Sequence, residues 1–171
     1  MTKNKHETDN DFSSKLIRTY IQLLELQPLT PLAKLTPFIG KGIYAIYYRG
    51  TFPAYKSITG KNIPIYVGRT MYKVYYRKDD SPKSKSIYSR LIQHVNRIKN
   101  TTNLKIDSFE CKYVILDGSW PEACHDELMI KYKPIWNIKI RGFSHRDPGT
   151  RRRDSLPEWD TIHPRCNKTK F

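Results

Sequence analysis

A small set of residues in this chain has the types and spacing to handle a phosphate ester. Tyr44 stands in Gly42-Ile43-Tyr44 and Tyr66 in Tyr66-Val67-Gly68, each within a short strand-like run of β-branched and small residues. The stretch between them, residues 49–62, contains Gly50, Pro53 and Gly60 and reads as a hairpin connection with an elaborated loop. Tyrosines on neighbouring strands can face one side, where a phenol can donate, accept or lose a proton at a phosphate. Arg90 and His94 are four residues apart in a helical segment and share a face, directed away from the core. An arginine fork grips a phosphate bidentately, and a histidine beside it relays a proton or adds positive charge. Asn137 follows Pro134-Ile135-Trp136, bulky neighbours that fix it where it can orient other side chains. Taken singly, each has a plainer reading: strand tyrosines pack, helical Arg/His pairs face water, and an Asn after a helix caps a turn.

Composition narrows the setting. The 171 residues carry a formal charge of +15 and a sequence pI near 9.8, the balance of a protein that meets polyanions, nucleic acid before anionic membrane. Twelve tyrosines among the basic residues suit stacking on bases better than a lipid surface. A hydrophobic content of 38% implies one domain with a modest core. The polar start and the lack of a long apolar run argue against secretion and membrane spanning. Cys111, Cys124 and Cys166 fit neither a disulfide framework nor a zinc ribbon. The expectation is a soluble, reduced, cytoplasmic protein.

Four segments organise the chain. Residues 1–11 read as a disordered tail. Residues 12–40 hold a helix and linker: Phe12, Leu16, Tyr20, Leu23, Leu24 and Leu26 recur at helical spacing, with Asp11 or Ser13 as cap and Pro28 as stop. The stripe on this helix closes the domain or buries against a second subunit. Residues 41–137 form the core. After the two tyrosine strands, a helix is expected from Ser86 to Lys99, burying Ile87, Leu91, Val95 and Ile98. A third strand follows over 109–116, then a helix from Pro121 to Tyr132, stopped by Pro134. Residues 138–171 are an Arg-, Gly- and Pro-rich arm that has Phe143, Trp159 and Ile162 to bury. The class is α+β, a three-stranded, mainly antiparallel sheet flanked by helices, with an N-terminal helix and a C-terminal arm.

The order GIY, YVG, Arg-x-x-x-His, a carboxylate-bearing helix and P-x-W-N resembles the GIY-YIG nuclease superfamily across residues 41–137. Gly142-Phe143, Asp147-Pro148-Gly149, Trp159-Asp160 and His163-Pro164-Arg165 look like the C-terminal extension of its type II restriction endonucleases that cut CCGCGG. The resemblance implies the small GIY-YIG fold and site-specific hydrolysis of double-stranded DNA at a short, G·C-rich palindrome. It makes Tyr44 the residue that activates water and Tyr66 the one that positions base or phosphate. Arg90 then stabilises the pentavalent phosphate, His94 joins the hydrogen-bond network, and Asn137 steadies the site. It also implies one divalent ion, Mg2+ with Mn2+ as the alternative.

The family's metal ligand is a glutamate twelve positions before the asparagine, and here that position is His125. Glu122, one turn earlier on the same face, is the favoured ligand; Asp126 and Glu127 follow, and His125 itself would favour softer ions. Arg69, Lys73, Arg77, Lys78, Lys83 and Lys85 near the phosphate site, with Arg146, Arg151, Arg152 and Arg153 in the arm, are expected DNA contacts. Arm arginines can also pair with guanine edges. A palindrome calls for a homodimer on DNA, and a restriction enzyme for a partner DNA methyltransferase. The alternatives are a repair, recombination or homing nuclease, and a DNA-binding module whose site has decayed.

Overall fold

The computed structural model describes residues 3–71, 86–144 and 157–166, with side chains from residue 11 onward. A long helix α1 (Lys3–Leu26) leads to β1 (Thr30–Pro31), β2 (Gly42–Tyr48) and β3 (Tyr66–Thr70). Then come α2 (Ile87–Lys99), β4 (Phe109–Ile115), α3 (Trp120–Tyr132), α4 (Ile135–Ile138) and α5 (Glu158–Ile162). The strands form one antiparallel sheet in the order β1-β4-β2-β3.

Two features differ from the expected pattern. The sheet has four strands, because Thr30 and Pro31 pair with Cys111 and Glu110 at its edge. Two residues are too short to show alternation, and a proline is tolerated only on such an edge. The first helix starts at Lys3, where a tail through residue 11 was expected. Residues 3–10 contain no Gly or Pro to break a helix, and their polarity hides them from a search based on apolar spacing.

The central strand β2 is buried at all seven residues, since helices cover both faces of the sheet. Tyr44, Ile46 and Tyr48 point to one face, where α2 packs through Ile87, Leu91, Val95 and Ile98, the stripe its periodicity predicts. Ser86 caps α2 by accepting from the Ser89 amide at 3.1 Å. Trp136, Phe143 and Trp159 complete that core. Ile43, Ala45 and Tyr47 point the other way, with Val67, onto Ile21 and Leu24 of α1 and Cys124 and Leu128 of α3.

Glu25 near the end of α1 latches that helix down. Its carboxylate accepts from Lys131 and, at 2.6 Å, from the Tyr132 hydroxyl, while Lys112 donates to its backbone carbonyl. Burial works to raise the Glu25 carboxyl, but the Lys131 and Tyr132 bonds and the Lys131 and Lys112 charges outweigh it and hold it below its ordinary range.

On the opposite face the arm is tied to the end of α2. The Cys166 amide donates to Asn100 at 2.8 Å and the Thr102 amide to Pro164 at 2.9 Å. His163 is completely buried; its Nδ1 bonds Asn103 Oδ1 at 2.9 Å and its Nε2 meets the Tyr55 hydroxyl, which accepts from Trp136 Nε1 at 2.7 Å.

Candidate active site

Antiparallel register decides what Tyr44 can reach. It sits opposite Gly68, and a Cβ there would lie 2.2 Å from Tyr44 Cζ and 2.3 Å from its hydroxyl. Only a glycine lets the phenol extend across β3, which is the physical reason for the glycine in Tyr66-Val67-Gly68. The Tyr44 hydroxyl is 2.8 Å from His94 Nε2. Tyr66 projects from β3 onto the same face, its ring centre 6.2 Å from Tyr44 and 4.9 Å from His94. Phe143 of the arm stacks on the His94 ring at 4.6 Å and 16°, and meets Tyr66 edge-on at 5.1 Å.

His94 is therefore 5% exposed, not directed away from the core as the helical spacing suggested. It sits three residues after Leu91 and four before Ile98, at the margin of the buried stripe, and Phe143 covers it there. Arg90 stays at the rim, its Nη1 donating to Gln93 Oε1 at 3.0 Å. A narrow opening of about 10 Å³, room for about one water, is lined by Arg90, Gln93, His94, Arg97, Phe143 and Ser144. Arg90 and His94 both line this opening, but only Arg90 is presented to solvent as expected.

Asn137 holds the strand that carries Tyr66. Its Oδ1 accepts from the Val67 amide at 2.8 Å and its Nδ2 donates to the Val67 carbonyl at 2.9 Å. β3 is an edge strand, and this side-chain amide satisfies its outward groups as a neighbouring strand would. Trp136, fully buried, sets the position of Asn137, and its amide donates to Ile65 at 3.0 Å. Asn137 acts on backbone between Tyr66 and Gly68, and both of its described side-chain bonds go to Val67.

Alternation along β3 sends Arg69 to the other face, toward α3. Its guanidinium gathers three residues: Glu122 Oε1 at 2.6 Å, Asp126 Oδ1 at 3.2 Å and His125 Nδ1 at 3.3 Å. Arg69, expected to touch DNA, is engaged with these acids. Burial, together with the Arg69 charge, pushes His125 below its ordinary value against the pull of Asp126, so the imidazole is neutral at pH 7. Glu127 stays outside the group. Among the described residues no set of three or more His, Cys, Asp and Glu side chains closes a metal cage. A magnesium site does not require one, because Mg2+ keeps several waters and uses one or two carboxylates beside substrate phosphates. Glu122 and Asp126, half or more exposed and one turn apart, fit that description.

Lys73, Arg77, Lys78, Lys83 and Lys85 lie outside the described residues, as do Arg146, Arg151, Arg152 and Arg153. Sequence reasoning did not single out Gln93 and Arg97, which line the opening. Their offsets of three and seven from Arg90 are the helical signal that could have found them. The contact of Phe143 with His94 has no local signal.

Paired tyrosines on adjacent antiparallel strands, an Arg/His helix over them and an asparagine clamp on the edge strand define a GIY-YIG nuclease domain. Residues 36–170 match the family model described as the Eco29kI GIY-YIG domain, and the chain belongs to that restriction endonuclease family. Helix α1 lies outside the matched range. Comparison with curated proteins finds no match. DNA is the substrate such a nuclease domain implies. No helix among the described residues is long and apolar enough to cross a membrane.

Proposed function

We propose that the protein is a type II restriction endonuclease that hydrolyses both strands of double-stranded DNA at a short, G·C-rich palindrome. The observation that carries this reading is the Tyr44 hydroxyl held 2.8 Å from His94 Nε2 beneath an opening rimmed by Arg90. In hydrolysis, the Tyr44 oxygen accepts a proton from the attacking water as its own proton passes to His94 Nε2. The water oxygen bonds to phosphorus as the bond to the 3′-oxygen breaks, and that oxygen takes a proton from a solvent water, leaving a 5′-phosphate and a 3′-hydroxyl. Arg90 faces the non-bridging oxygens, where negative charge develops. Tyr66, packed beside Tyr44 and His94, positions the base or the phosphate, and Asn137 holds the β3 backbone next to it.

Glu122 and Asp126 would hold a divalent ion, Mg2+ or Mn2+. Such an ion, when bound, supplies charge stabilisation for a leaving alkoxide. Symmetric cutting of a palindrome needs two copies of the site, so the acting form is a homodimer, with a DNA methyltransferase of matching specificity to protect host DNA. Basic residues outside the described segments supply phosphate contacts.

A DNA-binding module without cleavage is the second reading. It is favoured by His125 standing where a carboxylate is expected and by Arg69 neutralising the neighbouring acids. Incubation of the purified protein with long duplex DNA and Mg2+ or Mn2+ separates the two. Discrete fragments with 5′-phosphate ends support the nuclease reading, and tight binding with no cutting in either ion supports the module.

A further inference from the structure

We propose that an open notch beside the active-site opening is a second phosphate site, taking a non-reacting phosphodiester of the DNA strand being cut. This rests on the nuclease reading and adds a contact that fixes the strand along α2. The notch encloses about 280 Å³ between the outer face of α2 and the arm, and is lined by Gln93, Asn96, Arg97, Asn100, Trp159 and Arg165. It shares Gln93 and Arg97 with the opening over His94, so the two form one continuous track.

Charge identifies the ligand. Asp160 accepts from Arg97 Nη2 at 3.2 Å through Oδ1 and from Arg165 Nη2 at 3.2 Å through Oδ2. Two guanidinium groups meet at one buried carboxylate, so positive charge is in excess among the described residues, as an anionic phosphodiester requires. The Asp160 side chain is only 6% exposed, so it neutralises without confronting the ligand. Arg165 meets Asp160 side-on through Nε and Nη2, which leaves its Nη1 edge without an acceptor among the described residues. That side chain is 71% exposed. Arg97 is fixed with its guanidinium carbon 4.7 Å above the Trp159 ring.

The remaining groups favour an anion as well. Trp159 is 1% exposed and its Nε1–H is buried without an acceptor among the described residues. Asn96 and Asn100 are exposed, and no side-chain hydrogen bond engages either amide among the described residues. Donors therefore exceed acceptors around the notch, as phosphate oxygens require. Its volume falls below the roughly 300–1,000 Å³ of small-molecule pockets, which suits a phosphate and part of its sugar. Arg97 lies seven residues beyond Arg90, about 10 Å along the helix. At ~3.4 Å of axial rise per nucleotide, the phosphate held there is about three steps from the scissile one.

The test is equilibrium binding, without divalent metal, of a duplex oligonucleotide containing CCGCGG and of copies bearing one methylphosphonate at each successive position of a strand. The wild-type protein should lose affinity at one non-scissile position about three nucleotides from the cut. Arg165→Gln should lower affinity, reduce the slope of log affinity against log salt by about 0.9, and abolish the methylphosphonate effect at that position alone. Asn96→Ala, an exposed change that favours the helix, should weaken the same positional effect with the salt slope unchanged. If wild-type protein binds and cuts DNA while both variants keep its salt slope and positional profile, the notch is not a phosphate site and the nuclease reading stands. If wild-type protein neither binds nor cuts DNA, both fail.

Discussion

Lowering the pH from 7 to 5 should loosen the arm from the face that carries Tyr44 and His94, because His163 is built to stay neutral. Its Nδ1 faces the Asn103 side-chain oxygen, which can only accept, so that nitrogen carries the proton. Its Nε2 is then bare and accepts from the Tyr55 hydroxyl. Burial holds Tyr55 well above its ordinary pKa, so it remains a donor across the range, and Trp136 fills its other side. A second proton on His163 would confront the Tyr55 donor inside the aromatic core. Burial pushes the imidazole down to about 4 from 6.5.

The sign follows from linkage. The unfolded chain takes up this proton near 6.5 and the folded chain only near 4, so stability is full above 6.5 and falls as pH drops between the two values. The whole interval is worth up to about 3 kcal/mol, of which about 2 kcal/mol is lost between pH 7 and pH 5. Urea unfolding of the wild-type protein and of His163→Gln at both pH values isolates the effect, since other groups titrate in both. Wild type should lose about 2 kcal/mol more than the variant on acidification. Equal losses, or an NMR titration of the His163 ring centred near 6.5, would refute the reasoning. Trp159 and Phe143 reach His94 and α2 from the same arm, so cleavage should weaken over the same interval.

Two substitutions probe the site from its two sides. Gly68→Ala forces a Cβ to within 2.2 Å of Tyr44 Cζ, so the phenol must leave His94. Overpacking of this kind costs about 1–3 kcal/mol, and cleavage should fall by at least ~100-fold, read from denaturant midpoint and initial rate. On the α3 side, Glu122→Ala should collapse Mg2+-supported cleavage and weaken Mg2+ binding by calorimetry, whereas Glu127→Ala, outside the Arg69 group, should do neither. Full activity in Glu122→Ala would move the ligand to Asp126.

Residues whose placement follows from local periodicity were readable in the sequence. Period two put Tyr44 and Tyr66 on strands, and a period of 3.6 put Arg90 and His94 on one turn of α2 with the correct apolar stripe beneath. The spacing of His94 from Leu91 and Ile98 already sets it at the margin of the buried stripe, but its cover was not readable, because Phe143 arrives from the arm by tertiary packing. The Arg69 group was hidden for a related reason. Alternation of β3 aims Arg69 at α3, but only the packing of α3 on that face shows that Glu122, His125 and Asp126 converge on it. Asn137 could be suspected of orienting the site, yet its pairing with the Val67 backbone needs β3 to be an edge strand, a fact of sheet order. β1 was invisible because Thr30–Pro31 is shorter than any alternation pattern.

The central claim is that the Tyr44 hydroxyl, held by His94, moves the proton in phosphodiester cleavage. Single-turnover cleavage by Tyr44→Phe, at DNA concentrations that saturate both proteins, tests it most directly. The ring and its packing over Gly68 remain, so DNA affinity should match wild type while the cleavage rate falls by ~100- to 10,000-fold. A Tyr44→Phe protein that binds DNA and cuts at the wild-type rate would contradict the account.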